Sequence, residues 1–537
     1  MTAAEQVGLE TSRAKWSRIS LFRYSPALVL VVIAIANSMR VADPDMWGHI
    51  RYGQAVLRLR QLVLHDPYSY SVPGHLWLSH EWLTEVILAA LYNHWGVFGL
   101  DLMKLACAAV AIIFVAAALA QTGASTRVQF ATLIAAAVLL KPQIQYRPQS
   151  FTFALLAVLV FLLARDTYRR RGGLWLAIPI MALWANLHGG FIMGIASLGV
   201  YGAVSGAQDF FAGRGAARGM KLAALTAAAT LATLATPYGI DTWYTVIHAL
   251  RNPYTRLVIQ DWLPLGPAML AHWAHGGFVS NYEIAALLMA GTVIFWSLTI
   301  EPDDLALAAV AALMSISAVL SVRNLPIAGI AVAAPFARHL EAALRRWRGK
   351  AAERKEAPGW AWWLNQGVLA ALSVLLFVHS GLFTSRLESA NPLPFGACAF
   401  MDEHDLKGNI LNDFAWGQFL IWQEPQSRVF IDGRYDTLYP FELIRDYIRF
   451  NFDQPGGDFV LTKFPTQFVL ISPRSLSRKL MDARPDWKLI YRDNVARLYA
   501  RADSAAARLF AAPVRGHEAI DDRIVMTADA VRPAPQG

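Results

Sequence analysis

The stretch "YSPALVLVVIAIANSMRVADPDMWGHIRYG", Tyr24 to Gly53, sets an apolar run directly before two aspartates, a tryptophan and a histidine. Arg13, Lys15, Arg18 and Arg23 precede the run, and "AIA" within it mimics a cleavage site, so it reads either as a secretory signal or as a retained anchor. The basic region is long and about ten more apolar runs follow, which favours the anchor. An anchor with its basic end inside makes the chain polytopic and carries Asp43 and Asp45 to the outer side.

The composition agrees. Of 537 residues 55% are hydrophobic and only 16% charged, with a mean hydropathy of +0.36, the profile of a chain dissolved in lipid. Candidate spans fall at 24–41, 97–120, 128–140, 149–165, 174–188, 190–210, 221–236, 282–300, 304–321, 325–340 and 362–383. That gives about eleven helices. The turns expected inside contain Arg127, "RDTYRRRGG", "GRGAARGMK" and "RHLEAALRRWRGKAAERKE", as the positive-inside rule asks. The net charge of +9 therefore reads as loop charge, and no nucleic acid is expected as a partner. "EPDD", Glu301 to Asp304, breaks the pattern, although acids carry little topological weight. Two cysteines, Cys107 and Cys398, point to neither a disulfide framework nor a metal site.

With this topology nearly every unusual polar cluster falls on the extracytoplasmic side: "DPDMWGH", "LSHEW", "KPQIQYRPQ", "WANLHGG", "IQDWLPLG" and "SVRNLP". Polar groups near membrane depth are costly unless they serve a cavity, so their convergence implies one external pocket. The first external loop, 42–96, has two helical patterns, "MWGHIRYGQAVLRLRQL" and "HEWLTEVILAALYNHWG", around the turn-rich "HDPYSYSVPGH". From about 384 the pattern becomes that of a small α/β domain. The expected divisions are a cytoplasmic N-terminus 1–23, a transmembrane domain 24–383, an extracytoplasmic α/β domain 384–501 and a mobile tail 502–537.

This order of features resembles the GT-C superfamily of membrane glycosyltransferases, both the bacterial branch that takes sugars from polyprenyl-phosphate carriers and the oligosaccharyltransferase catalytic subunit. "DPDMWGHIRYG" looks like the family's first-loop acidic motif, which implies that Asp43 and Asp45 activate the acceptor or help to hold a divalent cation, magnesium or manganese. "NDFAWGQFLIWQEPQSRVFIDGRYDT" is similar to the acceptor-reading segment of the oligosaccharyltransferase, but only Trp416 and Gly417 align plainly.

Sugar transfer from a lipid phosphate needs a base, a stabilised leaving phosphate and an oriented site. Asp45 is the expected base, with Asp43 as its partner or as a helix cap. His49, four residues on, can orient Asp45 or anchor the helix at the interface. Arg147 and Arg323 are isolated arginines at external span ends, placed to bind phosphate oxygens or to snorkel to headgroups. His188, before Gly189 and Gly190, can add a phosphate donor or satisfy a helix end. Glu81 and Asp261 are second-acid candidates or plain cap and turn residues.

The sequence thus leads to an α-helical polytopic membrane protein of GT-C type in a bacterial inner membrane, with its C-terminal α/β domain outside. Its expected partners are a polyprenyl-linked sugar donor, membrane lipid, and a glycan, lipid or protein acceptor. A transporter or flippase of lipid-linked saccharide and a non-catalytic assembly protein are the rival classes.

Overall fold

The computed structural model describes residues 26–39, 41–252, 260–277, 279–299, 302–348, 359–379, 386–389, 392–516 and 525–527. Each of the eleven apolar runs carries a helix. These are α1 (Pro26–Ala36), then, after the first loop, α4 (Val97–Gln121), α5 (Thr126–Leu140), α6 (Gln149–Arg169), α7 (Ala177–Leu187), α8 (Phe191–Phe211) and α9 (Ala217–Ala232). After α10 (Asp241–Leu250) and α11 (Leu265–Ala274) come α12 (Asn281–Thr299), α13 (Leu305–Leu320), α14 (Leu325–Arg348) and α15 (Gly359–His379). Among the described residues five helices are long and apolar enough to cross a membrane: α4, α6, α8, α12 and the helix ending at Trp347. α15 has 21 residues, and the remaining helices of the apolar runs, with 11 to 16, are shorter than the roughly 20 residues a perpendicular span requires.

The first loop contains α2 (Asp45–Leu59) and α3 (Trp82–Trp95), at the two positions that helical spacing predicts. Its packing was not legible in the sequence. Trp47, Ile50, Tyr52, Tyr70, Trp77 and Leu88 lie in one hydrophobic core with Leu411, Phe419, Phe430 and Val469 of the C-terminal domain. The bundle helices α4 to α8 form a second core. In packing terms, the loop belongs with the C-terminal domain as much as with the bundle.

That domain contains α16 (Phe395–Glu403), α17 (Gly417–Gln423), α18 (Tyr435–Leu438) and α19 (Phe441–Asn451) around a mixed sheet. The sheet strands are β3 (Asn409–Asn412), β4 (Arg428–Val429), β5 (Phe468–Ile471), β6 (Trp487–Arg492), β7 (Arg497–Arg501) and β8 (Val514–Arg515), in the order β4-β3-β5-β7-β6-β8. The first loop closes the β4 edge. Tyr70 N–H donates to Val429 O at 3.1 Å and Val429 N–H to Tyr68 O at 3.1 Å, so backbone groups exposed at a sheet edge are paired. A second, small sheet joins β1 (Val41–Ala42), β2 (Arg386–Ser389) and β9 (Val525–Thr527). The stretch after Arg501, expected to be a mobile tail, therefore supplies a short helix, Ala505–Arg508, and two paired strands.

The acidic "EPDD" turn also finds a physical reason. Asp304 is fully buried, with His339 Nε2 3.0 Å and Tyr168 Oη 3.0 Å from its Oδ2, and Arg338 Nε at 3.9 Å. It is the anionic centre of a basic cluster, so it adds little negative charge to that end of the bundle.

Candidate active site

Two ties place the acids. At the end of α1, Lys104 of α4 donates to the carbonyls of Met39 and Asn37, which fixes the chain just before Val41. Asp101, one turn earlier on α4, accepts from Tyr146 Oη at 2.6 Å and so holds the 141–148 loop. That loop is closed further by Ser150, whose Oγ donates to Gln145 O at 2.7 Å. Asp101 and Lys104 escaped the sequence reading. Their signal was present all the same: two charges three residues apart inside an apolar helix are costly unless they have work to do.

The result is that Arg147 lies between the two aspartates. Its Nη1 is 2.9 Å from Asp43 Oδ2 and its Nη2 is 2.7 Å from Asp45 Oδ2. Asp43 Oδ1 accepts the Asp45 backbone N–H at 2.9 Å, so Asp43 both braces the start of α2 and binds Arg147. Asp45 plays no capping part. Its Oδ1 has no hydrogen-bond partner among the described residues. The side chains of Asp43, Asp45 and Arg147 keep 23%, 24% and 18% of their surface open, enough for a ligand to reach them.

Burial pushes the Asp45 carboxyl up to about 6; Arg147 pulls it down and Asp43 raises it again. Arg147 itself is driven upward: burial opposes its charge, but Asp43 and Asp45 outweigh burial. Asp45 is thus a carboxylate at neutral pH that binds a proton far more readily than a solvated aspartate.

Glu81 reaches the same neighbourhood because the first turn of α3 docks on the end of α7. Trp82 Nε1 donates to Asn186 Oδ1 at 3.0 Å and Thr84 Oγ1 to Leu187 O at 2.7 Å. Glu81 Oε1 lies 3.4 Å from His188 Nε2 and 3.7 Å from His80 Nε2. The Gly190 N–H donates to His188 Nδ1 at 2.9 Å, so Nδ1 is the acceptor nitrogen and Nε2 carries the hydrogen toward Glu81. A Cβ on Gly189 would come within 3.1 Å of Val246 Cγ2 and 3.2 Å of His80 Nε2, so a side chain there would require these neighbours to give way. Burial opposes ionisation of Glu81, but the imidazoles of His80, His188 and His49 and the charge of Arg147 hold it down at about 2.

The remaining candidates line the flank. His49 lies one turn beyond Asp45, and its Nδ1 is 3.5 Å from Glu85 Oε1 of α3. Burial works against a charged His49, but the hydrogen bond to Glu85 and the charges of Glu81, Glu85 and Asp45 raise it above the usual range. Arg323 lies 5.7 Å over the Trp262 ring, next to Asp261, whose carbonyl accepts from Ser321 Oγ at 3.1 Å. Asp261 is near enough for its charge to act on Arg147. Among the described residues no group of three or more His, Cys, Asp or Glu is disposed to hold a metal ion.

The C-terminal domain roofs this site. Trp416, in the segment similar to an acceptor-reading motif, is buried and donates to Pro392 O at 3.0 Å within its own domain. The residues after it press on α2 instead. Arg434, not suspected from the sequence, is buried between Asp432 and Asp66 of the first loop, with Nη2 2.7 Å from Asp432 Oδ2 and Nη1 2.6 Å from Asp66 Oδ1. Tyr52, Tyr68 and Trp77 surround its guanidinium at 5.2, 5.3 and 4.7 Å.

In overall course the chain is similar to ArnT. The crystal structure of ArnT from Cupriavidus metallidurans bound to undecaprenyl phosphate matches 89% of this chain and 98% of its own, at 13% identity and a TM-score of 0.48. The apo form of the same protein matches 89% and 97%, at 11% identity and a TM-score of 0.44. No family model and no curated protein matches the sequence.

Proposed function

We propose that the chain is a membrane glycosyltransferase of GT-C type that moves a sugar from a polyprenyl-phosphate or polyprenyl-diphosphate carrier to an acceptor outside a bacterial inner membrane. One observation carries the proposal: Arg147 gathers Asp43 and Asp45 at the end of a helix bundle and leaves Asp45 Oδ1 without a hydrogen-bond partner among the described residues, on a carboxylate raised to about 6. A general base needs this combination of access, a free lone pair and a raised proton affinity. The resemblance of "DPDMWGHIRYG" to the GT-C acidic motif points the same way.

In this reading Asp45 takes the proton of the acceptor hydroxyl as the oxygen attacks the anomeric carbon. The bond to the carrier phosphate breaks on the opposite face in a single inverting displacement. Arg323, near enough for its charge to act on His188, receives the charge of the departing phosphate. Arg147, first expected at the phosphate, serves as the fixed cation of the acid pair, and His188 lies beside Glu81.

A divalent cation shared by Asp43 and Asp45 fits these residues poorly. Asp43 Oδ1 is taken by a backbone N–H, and the Oδ2 atoms of both acids are taken by Arg147. We therefore propose transfer that survives chelation. The test is incubation of the purified protein with labelled polyprenyl-linked sugars and cell-envelope acceptors, with and without chelator. Label leaving the lipid and entering acceptor, undiminished by chelator, supports the proposal. Intact labelled lipid crossing a sealed bilayer without transfer supports a flippase in its place.

A further inference from the structure

Glu85 is the only acid in α3 and is followed by the apolar run Val86 to Leu91, yet its side chain is 3% exposed. A carboxylate this deep is costly unless a cation answers it. α2 supplies one. A Cβ on Gly53 would collide with Glu85 O and come within 2.8 Å of Ala89 Cβ, so the two helices meet there backbone to backbone. One turn before Gly53, on the same face of α2, His49 turns Nδ1 to Glu85 Oε1 at 3.5 Å, with both side chains buried. The close approach of the backbones fixes that register.

Among the described residues His49 is the one basic group paired with Glu85. Tyr68 and Tyr238 also lie within reach of its charge, but phenols are neutral at working pH. The other acids that act on the ring are Glu81, just before α3, and Asp45, one turn earlier on α2. Tyr52 meets it edge to face with centroids 6.5 Å apart. A neutral His49 would leave Glu85 as a buried charge without a counter-ion, so the pair is expected as carboxylate and imidazolium. The charge of His49 in turn joins that of Arg147 in opposing the burial of Asp45.

We propose that Glu85 is a positioning residue: by pairing with His49 it keeps a second cation, in addition to Arg147, one turn from Asp45, so that the base stays ionised in a buried site. It acts through the imidazole alone. The consequence for sugar transfer rests on the transferase reading above, whereas the pairing and its effect on Asp45 do not. Loss of the Glu85 charge should therefore show in the pH at which Asp45 titrates and leave donor binding intact.

The experiment uses the full-length protein in nanodiscs and the variants Glu85→Gln, His49→Gln and the two combined. Glutamine at 85 keeps the volume and an oxygen for Nδ1–H, so only the charge is removed. For each variant kcat and KM are measured against pH, and the Asp45 carboxylate band, identified as the infrared signal missing from Asp45→Asn, is titrated in parallel. In Glu85→Gln the acid limb of kcat and the Asp45 band should both move upward by about 0.5 to 1 pH unit. Transfer at about pH 6 should then fall about two- to fivefold, with KM and the rate at about pH 8 within about twofold of wild type. The combined variant should shift no further than His49→Gln alone, because both act along one path. An unmoved Asp45 band in folded Glu85→Gln overturns the proposal, and so does an unmoved band in His49→Gln, which leaves α3 untouched. Additive shifts in the combined variant would show that Glu85 does not act through His49. A wild type that transfers nothing while the band shifts overturns the transferase reading and leaves the positioning role standing.

Discussion

Two of the guanidiniums that bridge a pair of aspartates bear comparison: Arg147 with Asp43 and Asp45, and Arg434 with Asp66 and Asp432. What surrounds them differs. Arg434 and its acids have side chains 3% and 0% exposed, roofed by three aromatic rings. Their carboxylate oxygens are saturated: Asp66 accepts from the backbone of Tyr68 and Ser69, and Asp432 from Tyr439 Oη and the Arg434 backbone. Around Arg147 the acids keep about a quarter of their surface, and among the described residues Asp45 Oδ1 accepts no hydrogen bond. Burial acts on both sites, but Asp432 is held below the usual carboxylate range by the charge of Arg434 and its hydrogen bonds, while Asp45 is raised. The closed cluster rivets the first loop to the C-terminal domain. The open one retains a lone pair to use.

The comparison breaks first at Arg434. Arg434→Met leaves two buried carboxylates without their cation and should cost about 3–5 kcal/mol of stability, read as a large fall in thermal midpoint in detergent. A midpoint unchanged within a degree would show that the cluster is no rivet. At the open site the effects should be reversed. Arg147→Met should lower transfer by about 10²- to 10³-fold and shift the thermal midpoint far less, since solvent already screens a partly open pair. Equal damage to stability from both variants would erase the distinction.

The pH dependence follows from the sign at Asp45. A base acts when ionised, and burial makes this carboxylate hold its proton up to about 6. Transfer should be full above that value and fall by about tenfold per unit below it. In Arg147→Met the cation that lowers the value is gone, so the acid limb should move upward; a downward move would contradict the assignment. The smallest effect is expected at the far end of the bundle. Asp304→Asn keeps a side chain able to bond His339 and Tyr168, and the transfer rate per folded molecule should stay within about twofold of wild type, since Asp304 lies at the opposite end of the 16-residue α13 from Arg323, a helix about 24 Å long.

Sequence alone placed the elements better than their partnerships. The apolar runs all became helices, because segments of this hydropathy have few alternatives in lipid. The two loop helices followed from their spacing. Asp43, Asp45, Glu81, Arg147, His188, Asp261 and Arg323 were each noticed, yet nothing local says that Arg147 bonds both acids across some hundred residues. Asp101 and Lys104 were legible and went unread. Arg434 was not legible: an arginine after Asp-Gly acquires meaning only when the domain docks on the first loop. The strands after Arg501 escaped for a similar reason, since two- and three-residue strands form by pairing with what is already folded.

The most direct measurement is sugar transfer by Asp45→Asn beside wild type, from the same labelled polyprenyl-linked donor, in preparations matched for thermal midpoint. The asparagine keeps the shape and a hydrogen bond to Arg147 but cannot take a proton at neutral pH. Transfer should fall by about 10³-fold or more with donor binding retained. A variant that folds normally and turns over at the wild-type rate would contradict the account.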